Sequence, residues 1–249
     1  MSSGRRSSEE LRALVVEAGR TVLYNRGLRA TASHVPMTEA LAELERTHGI
    51  TVSMGSIFGR GRLWASVKEF QLDVLEAVIA DQVSGGPNDS SLSLIHELPE
   101  MTDRPYDERR GMLIELCRIA GQINGYVREP EKDRTWTLWV ATWTIAVTDR
   151  ENGARLLPKL RDGEDKMRGQ FSELYEVMMA KLGLRMRTPY VVDDLALLAA
   201  AITDGIALRV GVMPERVATA SNAHNDGAWN MLGLGLMAIA LELIEDDAD

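Results

Sequence analysis

Few residues of this chain have the types and spacing that catalysis or metal binding requires. The four histidines are scattered, and none belongs to a His-x-x-x-His or Cys/His metal motif. Asp193 and Asp194 could suggest the aspartate-rich metal motif of helical prenyl-chain enzymes, but no third acid has the needed spacing. Acids in a first helical turn are also expected for the helix dipole alone. The sequence contains no phosphate-binding loop and no Gly-x-Ser-x-Gly elbow, so we expect no enzyme, cofactor or metal.

The clearest chemical signal lies between Gly49 and Arg62. Small hydroxyl residues, a central glycine and two arginines lie there between two predicted helices. Serine hydroxyls contact bases or phosphates, arginines pair with phosphates, and a short helix after a turn is typical of helix-turn-helix DNA binding. The residues that we expect to contact DNA are Thr51, Ser53, Met54, Gly55, Ser56, Arg60, Arg62 and Lys68.

The charge distribution agrees with phosphate contact at one end of the chain. The net charge is −9, yet residues 1–70 hold 10 Lys and Arg against 7 Asp and Glu, whereas the remainder holds 18 against 30. A mildly basic head on an acidic body suits DNA contact at one end, although chance fluctuation would also explain the difference. Arg5 and Arg6 could enter a minor groove, but a solvated tail is the simpler explanation.

The elements that must position these residues are helices. Good helix formers dominate, aromatics make up only 5% of the chain, and runs of alternating β-branched residues are absent. Ser7 and Glu10 have capping-box spacing at the start of a first helix that Gly27 is placed to end. Pro158 and Gly163 allow the 155–182 segment to be two pieces. Further helices are expected at 38–48, 53–58, 66–83, 90–100, 107–128, 132–149, 155–182, 191–211 and 225–245.

An ordered set of residues in the first third of the chain points to a known family. The set comprises Thr38, Gly49, Ser53, Gly55, Ser56, Ile57, Phe58, Trp64, Ser66, Lys68 and Glu69. It resembles the DNA-binding domain of the TetR family of bacterial transcription regulators, with its Ser-x-Gly-Thr-Leu-Tyr recognition helix and Ser-x-Lys-Glu start to helix four. The chain departs from that pattern by extra residues on both sides of the recognition helix and by Phe58, where a tyrosine is common.

The resemblance implies an effector pocket and a dimer interface in the body. Three tryptophans share one helix face at i, i+3 and i+7, which is more often plain core than a ligand box. In TetR-like proteins the central helices enclose an effector, so the expected pocket comprises Met112, Ile119, Asn124, Trp136, Trp139, Trp143, Tyr175, Met178 and Met179. The segment from Leu195 to Arg209 resembles the family's penultimate long helix. The expected interface comprises Leu195, Leu198, Ile202, Trp229, Leu232, Leu236 and Ile239, with packing inside one chain as the alternative.

These observations predict an all-α protein of two domains. Residues 1–66, continuing into a connecting helix to about 84, are expected to form an N-terminal three-helix helix-turn-helix DNA-binding domain. Residues 85–249 are expected to form a larger helical-bundle domain for effector binding and dimerisation. The expected function is a homodimeric transcriptional regulator, a repressor released from double-stranded operator DNA by a small, mostly apolar effector. The alternative is a helical ligand-binding or scaffold protein without specific DNA binding.

The sequence also predicts a cytoplasmic location without membrane contact. Cys117 is the single cysteine, so no disulfide can form within one chain. The first residues lack the apolar segment of a secretory signal. The longest apolar runs fall short of the roughly 18 residues that a membrane-spanning helix needs.

Overall fold

The computed structural model describes residues 7–26, 35–83, 87–125, 134–210, 212–218 and 229–247. Within these ranges the protein has eleven helices and two three-residue strands, which confirms the all-α class. The helices are α1 (Ser8–Arg26), α2 (Met37–His48), α3 (Met54–Ile57), α4 (Val67–Val83), α5 (Asp89–His96), α6 (Tyr106–Gly125), α7 (Arg134–Thr148), α8 (Arg150–Leu182), α9 (Val192–Val210), α10 (Pro214–Ala218) and α11 (Met231–Leu243). The strands are β1 (Leu184–Met186) and β2 (Ile244–Asp246).

The chain forms two compact units whose division differs from the predicted domains. The head unit contains Met1–Ser84 and Arg134–Glu164, and the body unit contains Gly85–Asp133 and Asp165–Asp249. One boundary between the units falls after Ser84, and α7 and the first half of α8 belong to the head unit. The reason is packing that local sequence does not reveal, since Leu138 of α7 is buried in the same core as α1 and α4.

In the head unit, α1 begins with the capping box that the sequence predicts. The Ser7 amide donates to a Glu10 carboxylate oxygen at 2.7 Å, and the Glu10 amide donates to Ser7 Oγ at 3.1 Å. The buried stripe of α1 includes Val15, Ala18 and Val22. Gly27, the expected helix terminator, lies outside the described residues.

Helix α2 ends at Gly49, which has the left-handed φ of 63°. Its amide donates to the carbonyl of Glu45 at 2.8 Å, which closes the last turn of the helix. A residue with a Cβ is strained at such a φ, so a glycine is favoured at this terminus.

Helix α4 and its neighbours complete the head core. Phe70, Val74 and Val78 are fully buried along one face of α4. Gly19 of α1 lies directly against this face, because a Cβ there would meet side-chain atoms of Phe70 and Val74 at 2.8 Å. The close approach of α1 and α4 therefore depends on the absence of a side chain at Gly19.

In the body unit, α6 and α11 cross at two glycines. A Cβ on Gly121 would lie 2.5 Å from backbone atoms of Gly233. Asn230 connects the same two helices: its side-chain amide donates to the Gly121 carbonyl at 2.7 Å, and its oxygen accepts from the Gly233 amide at 2.8 Å. Asn230 thus caps α11 and binds α6 at once.

A buried arginine holds the end of the chain against α6. Strands β1 and β2 pair antiparallel, with Leu184 opposite Asp246. Arg109 donates two hydrogen bonds of 2.8 Å to the Asp246 carboxylate and another of 3.3 Å to the Leu182 carbonyl. The guanidinium therefore ties the end of α8 and strand β2 to α6. Because each strand has only three residues, no alternation of apolar and polar residues reveals it in the sequence.

Helix α8 is a single helix from Arg150 to Leu182, not two pieces. It passes through Pro158 and Gly163 without interruption, because a proline removes only one backbone hydrogen bond from a helix whose other contacts hold it. The boundary between the two units falls inside α8. Among the described residues, no helix is both long and apolar enough to cross a membrane.

Candidate DNA-binding surface and ligand cavity

Helix α3 is a single turn with one buried side and one exposed side. It spans Met54–Ile57, shorter than the predicted 53–58, and Ser53 precedes it in an extended conformation. Ile57 is fully buried in the head core. The predicted contact residues Ser53, Met54, Gly55 and Ser56 are all exposed. The turn is therefore anchored by one apolar side chain and presents the other residues to solvent.

The extra residues after α3 form a compact loop. Gly59 and Gly61 have φ values of 120° and 75°, which residues with side chains rarely adopt. The Trp64 amide donates to the Ile57 carbonyl at 3.0 Å, and the Gly59 amide donates to the Trp64 carbonyl at 2.9 Å. The loop therefore leaves and returns to the head core within a few residues.

The two arginines of this loop are available for an external anion. Arg60 and Arg62 are exposed. Across the described ranges neither guanidinium has an ion-pair partner. Since arginine pairs well with phosphate oxygens, this loop is the strongest phosphate candidate on the head unit.

Other predicted contact residues already have partners within the chain. Thr51 Oγ1 donates to Glu45 at 3.0 Å, and Ser56 Oγ donates to the Ser53 carbonyl at 2.6 Å. The Ser56 hydroxyl oxygen can still accept a hydrogen bond. Lys68 Nζ lies 2.6 Å from a carboxylate oxygen of Glu151 in α8, and both side chains are well exposed. Lys68 must give up or share that ion pair to bind phosphate.

A charged network beneath the loop holds it to α4. Trp64 Nε1 donates to Asp73 Oδ2 at 2.7 Å, and Arg12 of α1 binds the same oxygen at 2.6 Å. Arg155 of α8 pairs with the other oxygen of Asp73 and donates to Glu76 at 2.6 Å. Burial alone would raise the pKa of Asp73, but hydrogen bonds from Trp64, Arg155 and Arg12 outweigh it and hold the pKa below its ordinary value. Sequence analysis assigned no role to Arg12, Asp73 or Arg155.

The body unit contains an apolar cavity of about 150 Å³. It lies among α5, α6, α8, α9 and α11. None of its lining residues is charged. They are Ser91, Leu94, Ile95, Leu113, Leu116, Cys117, Ala120, Asn124, Phe171, Leu174, Tyr175, Met178, Leu195, Ala199, Thr203, Leu232, Leu236, Ile239, Ala240 and Ile244.

Some of the polar side chains that line the cavity already have hydrogen-bond partners within the chain. Asn124 donates to the Ala120 carbonyl at 2.9 Å and accepts from the Asn88 side chain at 3.0 Å. Thr203 Oγ1 donates to the Ala199 carbonyl at 2.7 Å. Burial raises the pKa of the Cys117 thiol to about 12, so it stays protonated at neutral pH.

Three of the nine predicted pocket residues line this cavity: Asn124, Tyr175 and Met178. Met112 and Ile119 are half-buried on α6 but do not line it, and Met179 is buried in the body core instead.

The tryptophans of α7 belong to the head unit, and Trp139 and Trp143 do not line the body cavity, so their role in effector binding stays a prediction. Trp139 is buried, and its ring centre lies 6.4 Å from that of Trp143. The side chain of Trp136 lies outside the described residues. Helical spacing places the three residues on one face, but it does not say which helices pack there.

Most residues predicted for a dimer interface pack against other parts of the same chain. Leu195, Leu232, Leu236 and Ile239 line the cavity, and Trp229 is buried. Ile202 is half-buried and lies directly against Gly235 of α11. Leu198 alone of the predicted set is exposed, since small residues bring α9 and α11 together inside one chain. Leu197 and Leu208 on α9 are also exposed.

No metal site accompanies these features: in the described part of the chain no three His, Cys, Asp or Glu side chains form a group that could hold a metal ion. Comparison with protein-family models, with curated proteins and with solved structures finds no match to this chain.

Proposed function

We propose that this chain is a transcriptional regulator whose head unit binds double-stranded DNA and whose body unit binds a small, mostly apolar effector. The observation that carries the proposal is the α3 turn with its loop. An exposed Ser-Met-Gly-Ser surface, anchored by buried Ile57, lies next to two exposed arginines that have no ion-pair partner among the described residues. Hydroxyl and guanidinium groups on one small surface match the phosphate and base-edge acceptors of DNA.

The environment of Gly55 supports close approach of a large partner. Nothing in the described chain lies within 4 Å of the position that a Cβ would occupy there. An exposed glycine in a helical turn costs stability compared with alanine. A backbone that must come close to another molecule accounts for that cost.

Helix α8 supports coupling between effector and DNA, because it contributes to both units. Arg155 joins the charged network of the head unit, and Tyr175 lines the cavity of the body unit. A ligand that favours one position of α8 changes the equilibrium between DNA-binding and non-binding states. Effector and DNA then weaken each other's binding by the same factor, as a repressor released by its effector requires.

The exposed face of α9 supports a homodimer, which a palindromic operator would need. Leu197 is 58% exposed, and Leu198 and Leu208 are exposed on the same helix. Light scattering on a Leu197→Glu, Leu208→Glu variant is expected to show a monomer where the natural chain is a dimer. Val177→Glu, at an exposed site on α8, serves as the matched control and is expected to stay dimeric.

Fluorescence anisotropy with the DNA upstream of the chain's own gene tests the proposal. We expect specific binding that weakens steeply with salt. Arg60→Ala with Arg62→Ala is expected to weaken binding to all sequences and to reduce the salt slope by about 2. Arg185→Ala with Arg187→Ala, an equal charge change in the body unit, is the control.

The second candidate is a ligand-binding protein without specific DNA binding, and the brevity of α3 favours it. A four-residue helix reaches less far into a major groove than the longer recognition helix that the sequence predicted. Binding that ignores DNA sequence and is unchanged in the double arginine variant would establish this second function instead.

A further inference from the structure

We infer that the body cavity selects an uncharged ligand with a compact apolar body and one acceptor oxygen, such as a ketone, ester or ether, which Tyr175 binds through its hydroxyl. The inference rests on the proposed function in so far as this cavity is the effector site. It goes further by naming the charge of the ligand, its polar group and the residue that binds that group.

The residues that line the body cavity determine which ligand charge it accepts. The nearest functional groups are aliphatic, aromatic, thiol, hydroxyl and amide, and no lining residue carries a charge. A carboxylate or ammonium group would lose its hydration without gaining an ion pair. The cavity therefore disfavours acids and amines that are ionised at neutral pH.

The hydroxyl of Tyr175 determines which polar group the ligand should carry. Within the residues that the structure describes, its hydroxyl has no hydrogen-bond partner, although its ring packs beside Phe171 at a centroid distance of 6.2 Å. Burial, with a smaller contribution from Cys117, raises the pKa of Tyr175 above its ordinary value, so the hydroxyl keeps its proton. A protonated phenol without a partner is a donor for a ligand oxygen.

Two lining hydroxyl groups, those of Tyr175 and Ser91, have no hydrogen-bond partner among the described residues, and the phenol is the more acidic donor of the two. Asn124 already donates to Ala120 and accepts from Asn88, and Thr203 already donates within α9. A ligand that fills the cavity shields the Tyr175 hydroxyl from water, and an acceptor oxygen on that ligand offsets the resulting free-energy cost. An apolar ligand of the same shape leaves that cost in place.

The size of the ligand follows from the volume. An apolar cavity of about 150 Å³ accommodates one substituted benzene ring. Four probes of similar size therefore distinguish the effect of ligand charge from the effect of an acceptor oxygen. Acetophenone has a neutral acceptor oxygen, ethylbenzene has none, benzoate is an anion and phenethylamine is a cation.

Isothermal titration calorimetry of the full chain with these probes, without DNA, tests the inference. We expect acetophenone to bind about 2- to 12-fold more tightly than ethylbenzene, the range that one hydrogen bond provides. We expect no measurable binding of benzoate or phenethylamine. Absence of acetophenone binding, or equal binding of either charged probe, would overturn the inference.

The Tyr175→Phe variant isolates the hydroxyl. It is expected to lower acetophenone affinity to or below that of ethylbenzene, because the desolvated ketone oxygen then lacks this donor, and to leave ethylbenzene binding unchanged. Tyr190→Phe, at an exposed tyrosine of the body unit outside the cavity, is the matched control and should bind both probes as the natural chain does. A Tyr175→Phe variant that retains the preference for acetophenone would overturn the role of Tyr175.

The cavity itself is tested by Ala199→Leu, which places a larger side chain in the lining and should abolish binding of both neutral probes. Circular dichroism shows whether this variant is folded. The comparison of Tyr175→Phe with the natural chain does not depend on the Ala199→Leu variant. DNA binding is measured separately by fluorescence anisotropy. A failure of the proposed DNA binding can therefore be distinguished from a failure of the predicted ligand preference.

Discussion

Trp64 donates its indole hydrogen to Asp73 Oδ2 at 2.7 Å, and Arg12 binds that same oxygen from the opposite helix. The guanidinium of Arg12 also lies 5.3 Å from the centre of the Trp64 ring. One carboxylate thus joins α1, α4 and the loop that follows α3. The position of the exposed arginines in that loop depends on this buried contact.

Trp64→Phe is expected to lower the free energy of unfolding by about 2 kcal/mol, because it removes a hydrogen bond to a charged acceptor and leaves a smaller ring. Urea denaturation followed by circular dichroism measures the loss. Trp143→Phe is the control in the same unit, since that indole is 39% exposed. Equal losses in the two variants would show that the Asp73 contact adds nothing to stability.

Asp73 is expected to make the head unit sensitive to acid. Its folded pKa is below the unfolded value of about 3.9, so its contribution is complete above that pH and is lost as pH falls through the folded pKa. Asp73→Asn cannot lose that contribution by titration. The stability difference between the natural chain and Asp73→Asn should therefore be larger at pH 7 than at pH 3 in urea titrations. A difference independent of pH would contradict the lowered pKa.

What could be predicted from the sequence was local. The Ser7–Glu10 capping box and the end of the second helix at residue 48 were correct because each depends on residues within one helical turn. Helical spacing placed the three tryptophans on one face of a helix, but it could not show that α7 packs in the head unit, because spacing does not identify the helix that covers a face. The dimer face stays a prediction. The charged network was missed since Arg12, Asp73 and Arg155 are far apart in sequence and meet only after three helices pack.

Arg109 is expected to be the most costly ion pair to break. Its side chain is buried with Asp246, so Arg109→Met leaves an uncompensated buried carboxylate and should cost about 3–5 kcal/mol. Arg185→Met is the control, because Arg185 pairs with Glu245 at the surface and should cost less than about 1 kcal/mol. Thermal and urea unfolding measure both. Similar losses would mean that the Arg109 pair is no stronger than a surface pair.

Two glycines of α6 are expected to respond oppositely to alanine. Gly121→Ala should destabilise the body unit by about 1–3 kcal/mol or more, because the new methyl group meets the Gly233 backbone, which cannot rotate away. Gly111→Ala, on the same helix with open space around it, should stabilise by roughly 0.5–1 kcal/mol. Urea midpoints distinguish the two. A tolerated Gly121→Ala would show that α6 and α11 can separate at no cost.

Gly55 provides the test of the DNA-binding surface that is least affected by folding. A methyl group there meets nothing in the described chain, so Gly55→Ala should leave the unfolding midpoint unchanged or slightly raised. If the α3 turn approaches DNA closely, that methyl group clashes with the partner and affinity falls by about tenfold, equivalent to about 1.4 kcal/mol. Gly55→Leu should bind more weakly still, while Gly111→Ala binds normally. Undiminished binding by a folded Gly55→Leu variant would place the DNA contact elsewhere on the molecule, because a side chain of that size cannot fit between the turn and a groove edge.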